Sequence, residues 1–95
     1  MYAVIRRYTG APEIFNQLEQ NQAEVEQLLR GVPGFVSYYA LRSGDGGATI
    51  TVCENQAGTT ESVNVAANWV RQRGPGAVGS PPQVTEGEVI FIFGK

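Results

Sequence analysis

The chain has 95 residues, a formal net charge of −2, a hydrophobic fraction of 42% and a charged fraction of 17%. This length supports a single soluble globular domain over residues 1–95, and the weakly acidic charge argues against nucleic acid as a partner, because phosphate binding requires clustered Lys and Arg. No stretch approaches the roughly 20 apolar residues of a membrane span or has the pattern of a signal peptide, so we expect no membrane partner.

The first half of the sequence predicts a strand, a helix and a second strand. Residues 2–8 are a short apolar stretch with charge near its end, as in a strand. Apolar residues then recur at spacings of three, four and seven, which predicts one amphipathic helix over residues 12–30. Gly31 can close this helix and Pro33 prevents its continuation. The aromatic and branched residues that follow predict a strand over residues 35–42.

The next part of the sequence predicts a hairpin and a second helix. Glycine dominates residues 43–47, which is typical of a hairpin loop. Apolar and polar residues alternate over residues 48–54, which predicts a third strand. The second helix is expected to begin at Thr59 or Thr60, either of which can cap it, and to end at Arg73, before a glycine.

The end of the sequence predicts a last strand over residues 84–93, apolar on both faces near its end. A Gly- and Pro-rich stretch at 74–82 precedes it and is either a plain connector or a lid or dimer arm. The order βαββαβ predicts a ferredoxin-like α+β fold, with two helices on one face of a four-stranded antiparallel sheet. The other face would form a large apolar patch, so we expect a second copy to cover it in a two-fold homodimer.

Two short motifs carry a resemblance to a known family. They are the Val-Pro-Gly-Phe turn at 32–35 and the Glu-Gly-Glu-Val sequence at 86–89 that leads into the last strand. With its length and element order, the chain resembles the dimeric α+β barrel superfamily, and within it the small antibiotic-biosynthesis-monooxygenase proteins. The resemblance implies two sheets closed into one barrel, helices outside, and a small-molecule pocket between helices and sheet in each subunit.

The resemblance also implies chemistry, namely cofactor-independent oxygenation of aromatic polyketides, or haem degradation in a relative. Those enzymes use an asparagine on the first strand, a tryptophan on the second helix and, for haem, a histidine. Here Arg6 and Arg7 stand in place of the asparagine, Trp69 resembles the helix tryptophan, and the chain has no histidine. Haem ligation of the family type is therefore excluded, and we expect no cofactor.

The candidate catalytic residues are Arg7, Tyr39 and Trp69. For an electron-rich aromatic substrate, Trp69 would form an apolar wall, Tyr39 would hydrogen-bond a ring oxygen, and Arg7 would stabilise an anion. Arg6 and Arg7 face opposite ways because they are adjacent in a strand. The one that faces the covered side needs either an anionic ligand or, as the ordinary arrangement, an ion pair with a glutamate. If Arg7 proves to be solvent-exposed, the enzymatic function is excluded and only the binding role remains.

Three functions are compatible with these residues. The first is small-molecule binding or an accessory role without catalysis, and the second is a cofactor-independent monooxygenase acting on an aromatic substrate. The third is a regulatory domain like the amino-acid sensors, which share the element order but pair their sheets side by side. We expect no metal site, because histidine is absent and the carboxylates are scattered. The single cysteine, Cys53, favours a reducing, cytoplasmic setting and an inert, packed thiol.

Overall fold

The computed structural model describes residues 1–73 and 81–94. The described residues form, in order, β1 (Tyr2–Tyr8), α1 (Pro12–Gln20), α2 (Gln22–Arg30), β2 (Phe35–Ser43), β3 (Gly46–Cys53), α3 (Gln56–Gln72) and β4 (Gln83–Glu88). Residues 74–80 of the predicted connector lie outside the described part. No helix in the described ranges is long and apolar enough to cross a membrane.

The four strands form one antiparallel sheet in the order β2-β3-β1-β4. This is the ferredoxin-like arrangement, and the predicted fold class is confirmed. Residues directly opposite each other on neighbouring strands share a face of the sheet. Arg6 lies opposite Thr49, whereas Ile5 lies opposite Ile50. One face of the sheet therefore carries Arg6 and is covered by the helices, and we call the other the open face.

The helix predicted over 12–30 is in fact two helices, separated at Asn21. Asn21 has a non-helical backbone, with φ −120° and ψ 33°. Its side-chain amide donates a 2.8 Å hydrogen bond to the carbonyl oxygen of Gln17, and such local side-chain bonds compete with helix continuation. The helix resumes at once, and Val25 donates to the carbonyl of Asn21. The apolar periodicity continues across this one-residue break, so the sequence pattern does not reveal it.

The second predicted helix, α3, begins three to four residues earlier than expected. Its cap is Asn55, whose side-chain oxygen accepts a hydrogen bond from the backbone N–H of Gly58 at 3.2 Å. Thr59, one of the predicted caps, is instead fully buried. Its hydroxyl lies 2.7 Å from the carboxylate of Glu86 on β4. Thr59 thus joins the first turn of α3 to the edge strand, a role that depends on tertiary contact.

The last strand, β4, ends at Glu88 rather than at residue 93. Within the described part of the chain it pairs with β1, which begins at Tyr2, directly opposite Glu88. The N–H of Val89 still bonds to the carbonyl of Met1 at 2.9 Å, but residues 90–93 pair with no strand among the described residues. Residues 89–93, which we call the C-terminal arm, leave the sheet with their apolar side chains largely exposed.

The hydrophobic core lies between the sheet and the helices in two clusters. The first packs Tyr8 edge-on against Phe15 of α1, with ring centroids 5.8 Å apart. The second joins Leu29 of α2 to Val32 and Cys53. Burial raises the pKa of the Cys53 thiol, which disfavours the reactive thiolate.

Gly58 lets the start of α3 approach the sheet closely, and we expect its substitution to destabilise the fold. A Cβ at Gly58 would lie 2.5 Å from the carbonyl oxygen of Pro33 and 2.7 Å from Cβ of Cys53. Gly58→Ala should lower the free energy of unfolding by about 1–3 kcal/mol, because a rigid backbone must shift. Gly31→Ala is the control, since its Cβ would make only ordinary contacts. Equal urea midpoints for the two variants would show that this approach is not tight.

Candidate functional site

The helix-covered face of β1 supplies the floor of the candidate site. Along this strand Val4, Arg6 and Tyr8 are buried, whereas Arg7 is exposed. This alternation follows from the pleat of a strand, in which successive side chains point to opposite faces. The floor of the site therefore contains a guanidinium and a phenol from a central strand.

A small cavity of about 30 Å³ lies above this floor. Its sheet side is polar, with Arg6, Tyr8, Tyr38 and Thr49, whereas its helix side is aliphatic apart from Trp69. One water molecule needs roughly 10–15 Å³ of such space. The cavity is thus large enough for a small polar group but not for a whole organic ligand.

A much larger groove of about 620 Å³ runs between the α1–α2 pair and the β2 edge of the sheet. Its volume lies within the range of ordinary small-molecule pockets. Leu18, Val25, Leu29 and Tyr38 line both the groove and the small cavity. These four side chains form the partition between the two spaces.

Arg6 is buried without a counter-ion among the described residues. Only 7% of its surface is exposed, and its buried Nε has no hydrogen-bond partner. Its guanidinium lies over the Tyr8 ring, 5.4 Å from the centroid. The expected ion pair with a glutamate is absent from the described part of the chain, because Glu86 on the same face contacts Thr59 instead. The site therefore contains an uncompensated positive charge.

Two phenols next to Arg6 remain protonated at neutral pH. Burial is the main cause that raises the pKa of Tyr38 to about 12, and proximity to Tyr8 adds to it, whereas a Thr49 hydrogen bond and the charge of Arg6 oppose it. Burial also raises the pKa of Tyr8, again against the charge of Arg6. Both hydroxyls are thus available as hydrogen-bond donors rather than as bases.

Trp69 closes the site from α3 and is held by a cluster that joins two helices. Its indole N–H donates a 2.8 Å hydrogen bond to the carboxylate of Glu24 on α2. Arg73 binds the same carboxylate and lies over the indole, 4.5 Å from the ring centroid. We call Glu24, Trp69 and Arg73 the Trp69 cluster. Because its N–H is already bonded, Trp69 offers the cavity a ring surface and not a donor.

The structure does not bring the three candidate catalytic residues together. Trp69 is 5% exposed and lines the cavity, as expected. Arg7 lies on the open face, opposite Ala48 and exposed. Tyr39 lies on the same open face and is 62% exposed. Neither Arg7 nor Tyr39 lines the cavity that Trp69 lines. The residues that face it are their sequence neighbours, Arg6 and Tyr38.

Four polar residues of the cavity were not among the predicted catalytic residues: Arg6, Tyr8, Tyr38 and Thr49. Arg6 and Tyr38 are the two that stand next to a predicted candidate. Both belong to adjacent like pairs, Arg6 with Arg7 and Tyr38 with Tyr39, so composition does not distinguish the members. The two members of each pair can be told apart by the face of the sheet to which they point. A residue points to the same face as the residues two positions away in its strand, so it is buried if they are buried. Arg6 and Tyr8 are two apart and share a side of β1, as an extended strand requires.

Residues that could hold a metal ion do not cluster here. Over residues 1–73 and 81–94, no group of three His, Cys, Asp or Glu side chains comes together. The charged residues beside the groove are paired with each other instead. Arg42 bonds to Asn16 at 3.2 Å and to Glu19 at 3.1 Å, and Arg30 pairs with Glu26 at 2.8 Å.

Residues 1–55 match the sequence family described as antibiotic biosynthesis monooxygenase. The chain belongs to the antibiotic biosynthesis monooxygenase family. The resemblance noted from the sequence is thereby confirmed. The matched part contains Arg6 and Tyr38 but ends before α3, which supplies Trp69. No curated protein matches this sequence at a significant level.

Several solved structures of low sequence identity share the fold of this antibiotic biosynthesis monooxygenase family member. A protein of unknown function from Nitrosomonas europaea has a TM-score of 0.75 at 20% identity, over 99% of this chain and 93% of that one. The cofactor-independent oxygenase SnoaB from Streptomyces nogalater has a TM-score of 0.65 at 19% identity, over 99% and 97%. A dimeric ferredoxin-like protein from an uncultured marine organism has a TM-score of 0.66 at 8% identity, over 99% and 96%.

The Trp69 cluster should stabilise the contact between α2 and α3. Glu24→Ala leaves the buried indole N–H without its acceptor, so we expect the free energy of unfolding to fall by about 1–2 kcal/mol. Glu26→Ala on the same helix removes only an exposed ion pair and should cost about 0.5 kcal/mol or less. Urea unfolding followed by the fluorescence of Trp69 measures both. Equal losses in the two variants would contradict the proposed importance of the cluster.

Proposed function

We propose that this protein is a homodimer that binds an aromatic small molecule between its helices and its sheet. The observation that carries the proposal is the ligand-sized groove, which adjoins a cavity walled by Tyr8, Tyr38 and Trp69. Aromatic side chains favour aromatic ligands because stacked and edge-on ring contacts add to the gain from apolar burial. We place the protein in the cytoplasm, where the single thiol of Cys53 remains free.

The helix α2 is the wall that a ligand would displace. Only Leu29 is buried among its nine residues, and α2 is separated from α1 by the break at Asn21. Elements with few buried apolar contacts move at low cost in free energy. An outward shift of α2 would separate the side chains of the partition and join the groove to the cavity.

The homodimer is supported by apolar surface that this chain leaves uncovered. In the C-terminal arm the exposed fractions are 82% for Ile90, 68% for Phe91 and 88% for Phe93. On the open face Leu41 is 47% exposed. Monomeric soluble proteins rarely expose contiguous apolar surface of this kind. A second copy of the chain, related by a two-fold axis, would cover the open face and receive the arm.

Light scattering at micromolar concentration should give about twice the 10.2 kDa chain mass. Replacing both Phe91 and Phe93 by serine should shift the protein toward the monomer, because the arm loses its two largest apolar groups. Leu28→Ser is the control, since it removes an exposed apolar side chain from α2 rather than from the arm. A monomeric wild-type protein would contradict the homodimer, and a dimer unaffected by the double substitution would contradict the role of the arm.

A second candidate function is cofactor-independent oxygenation of the bound aromatic molecule. Membership of the antibiotic biosynthesis monooxygenase family favours it. The positively charged Arg6 and the ring of Trp69, which line the same cavity, also favour it. In such a reaction a ring CH₂ group and one O₂ give a ring carbonyl and one water, so the substrate supplies all the electrons. Arg6 would stabilise the anion of the deprotonated substrate. Arg7 is exposed, so the oxygenation predicted from the sequence, in which Arg7 stabilises the anion, is wrong, and this second candidate depends on Arg6 alone.

Oxygen uptake with an anthrone-type substrate tests the second candidate separately from binding. We expect wild-type protein to consume one O₂ per substrate faster than buffer alone, with Arg7→Ala unchanged and Arg6→Ala strongly impaired. Binding is followed independently by quenching of Trp69 fluorescence. Quenching without oxygen uptake would leave the binding function standing and show oxygenation to be wrong. If Arg7→Ala loses oxygen uptake while the dimer stays intact, Arg7 on the open face, and not Arg6, stabilises the substrate anion.

A further inference from the structure

We propose that the ligand of this site carries an organic oxyanion, a carboxylate or an ionised phenol, and that Arg6 binds it in the small cavity. The proposal rests on the binding function proposed above and adds the charge and the orientation of the ligand. The aromatic body would lie in the groove, and the oxyanion would lie beyond the partition. Four observations on the described residues support it.

The first observation is the burial of an unpaired charge. Arg6 is 7% exposed, and its Nε has no partner. It lies on a central strand, between β3 and β4, so it cannot swing out to solvent as a side chain at a sheet edge can. Burying a charge without a partner is strongly unfavourable. A site that keeps such a charge is explained most simply by an anion that binds there.

The second observation is that the carboxylates near Arg6 are engaged elsewhere. Glu86 shares the helix-covered face through its position opposite Val4, but it contacts Thr59 at 2.7 Å. Glu24 binds Trp69 and Arg73. The sequence between α3 and β4, at 74–80, contains no Asp or Glu. Arg6 contacts the Tyr8 ring in a cation–π interaction, which does not supply an acceptor for its Nε–H.

The third observation is that the polar lining of the cavity consists of donors. The pKa of Tyr38 is raised to about 12, so its phenol keeps its proton at neutral pH. Thr49 lies directly opposite Arg6 and carries a hydroxyl. The Thr49 hydroxyl bonds to the phenol oxygen of Tyr38. The donors left for an oxyanion are therefore the Tyr38 O–H and the guanidinium of Arg6. In the described part of the cavity lining no carboxylate competes with the ligand.

The fourth observation is the match of volumes. A cavity of about 30 Å³ accepts a carboxylate or a phenolate oxygen but excludes an aromatic ring. The adjoining groove of about 620 Å³ accepts the ring system. Tyr38 lines both spaces and would lie at the junction between the ring and its anionic group. The oxyanion therefore fixes the orientation of the ligand, with the charged end toward β1.

The test compares naphthoate with naphthamide, which has nearly the same shape but no charge. Quenching of Trp69 fluorescence in the wild-type protein should give an affinity for naphthoate that is roughly tenfold to a hundredfold higher, because the amide leaves Arg6 unpaired. Arg6→Met, of similar length and neutral, should abolish this preference. Arg6→Lys should retain part of it, because lysine supplies the charge without the planar fork. Arg7→Met is the control and should bind as the wild-type protein does.

A second arm separates the two sources of the oxyanion. Para-nitrophenol changes colour when it ionises, so its absorbance reports whether the protein binds the phenolate. A shift toward the ionised form that depends on Arg6 supports a phenolate ligand, whereas a preference confined to naphthoate supports a carboxylate. Both outcomes agree with an oxyanion at Arg6. Ionisation that persists in Arg6→Met would contradict the role of Arg6.

The outcomes also separate this inference from the function on which it rests. If neither naphthoate nor naphthamide binds, the binding function itself is wrong. If both bind with equal affinity to the wild-type protein, binding stands and the oxyanion inference is wrong. Should Arg6→Met fail to fold, the wild-type comparison of the two ligands still decides, with Arg6→Lys as the remaining variant. If a folded Arg6→Met variant prefers naphthoate over naphthamide as strongly as the wild-type protein does, the inference is also wrong.

Discussion

The buried guanidinium of Arg6 is the interaction on which the organisation of the site depends. It lies on the central strand β1, between the sheet and α3, with one aromatic contact and an unbonded Nε. A charge in this position lowers stability unless something compensates it. The protonated phenols beside it, the small cavity and the adjoining groove all become parts of one arrangement if the compensating group comes from a ligand.

The two faces of the sheet have an unusual distribution of polarity. In most antiparallel sheets the covered face is apolar and the other is polar. Here the covered face carries buried polar residues, Arg6, Thr49 and Thr51, besides its apolar core residues, whereas the open face carries the apolar pair Ile5 and Ile50 besides the exposed Arg7. Polar groups under the helices fit a binding site, and apolar groups on the open face fit an interface with a second copy. The binding proposal thus accounts for the polar residues of the covered face, and the homodimer proposal accounts for the apolar residues of the open face.

The helix α2 combines weak packing with one strong attachment. It buries only Leu29, yet Glu24 ties it to α3 through Trp69 and Arg73. A wall attached at one end and loosely packed along its length can move without unfolding. Trp69 therefore serves both stability and binding, since its N–H maintains the helix contact and its ring faces the cavity. A substitution of Trp69 itself would affect both properties together, which is why Arg6 is the more informative site for variants.

The sequence by itself determined the element order, the hairpin, the helix faces and hence the ferredoxin-like fold, because periodicity and turn residues act locally. Tertiary structure alone decided the break at Asn21 and the Asn55 cap, where side-chain bonds interrupt or begin a helix without changing its periodicity. It also decided where β4 ends, since Glu88 lies opposite Tyr2, the first residue of the antiparallel neighbour β1. Above all, it decided that Arg6 rather than Arg7, and Tyr38 rather than Tyr39, face the site. Alternation in a strand determines that neighbours point apart, but only the packing of helices on one face determines which of the two is buried.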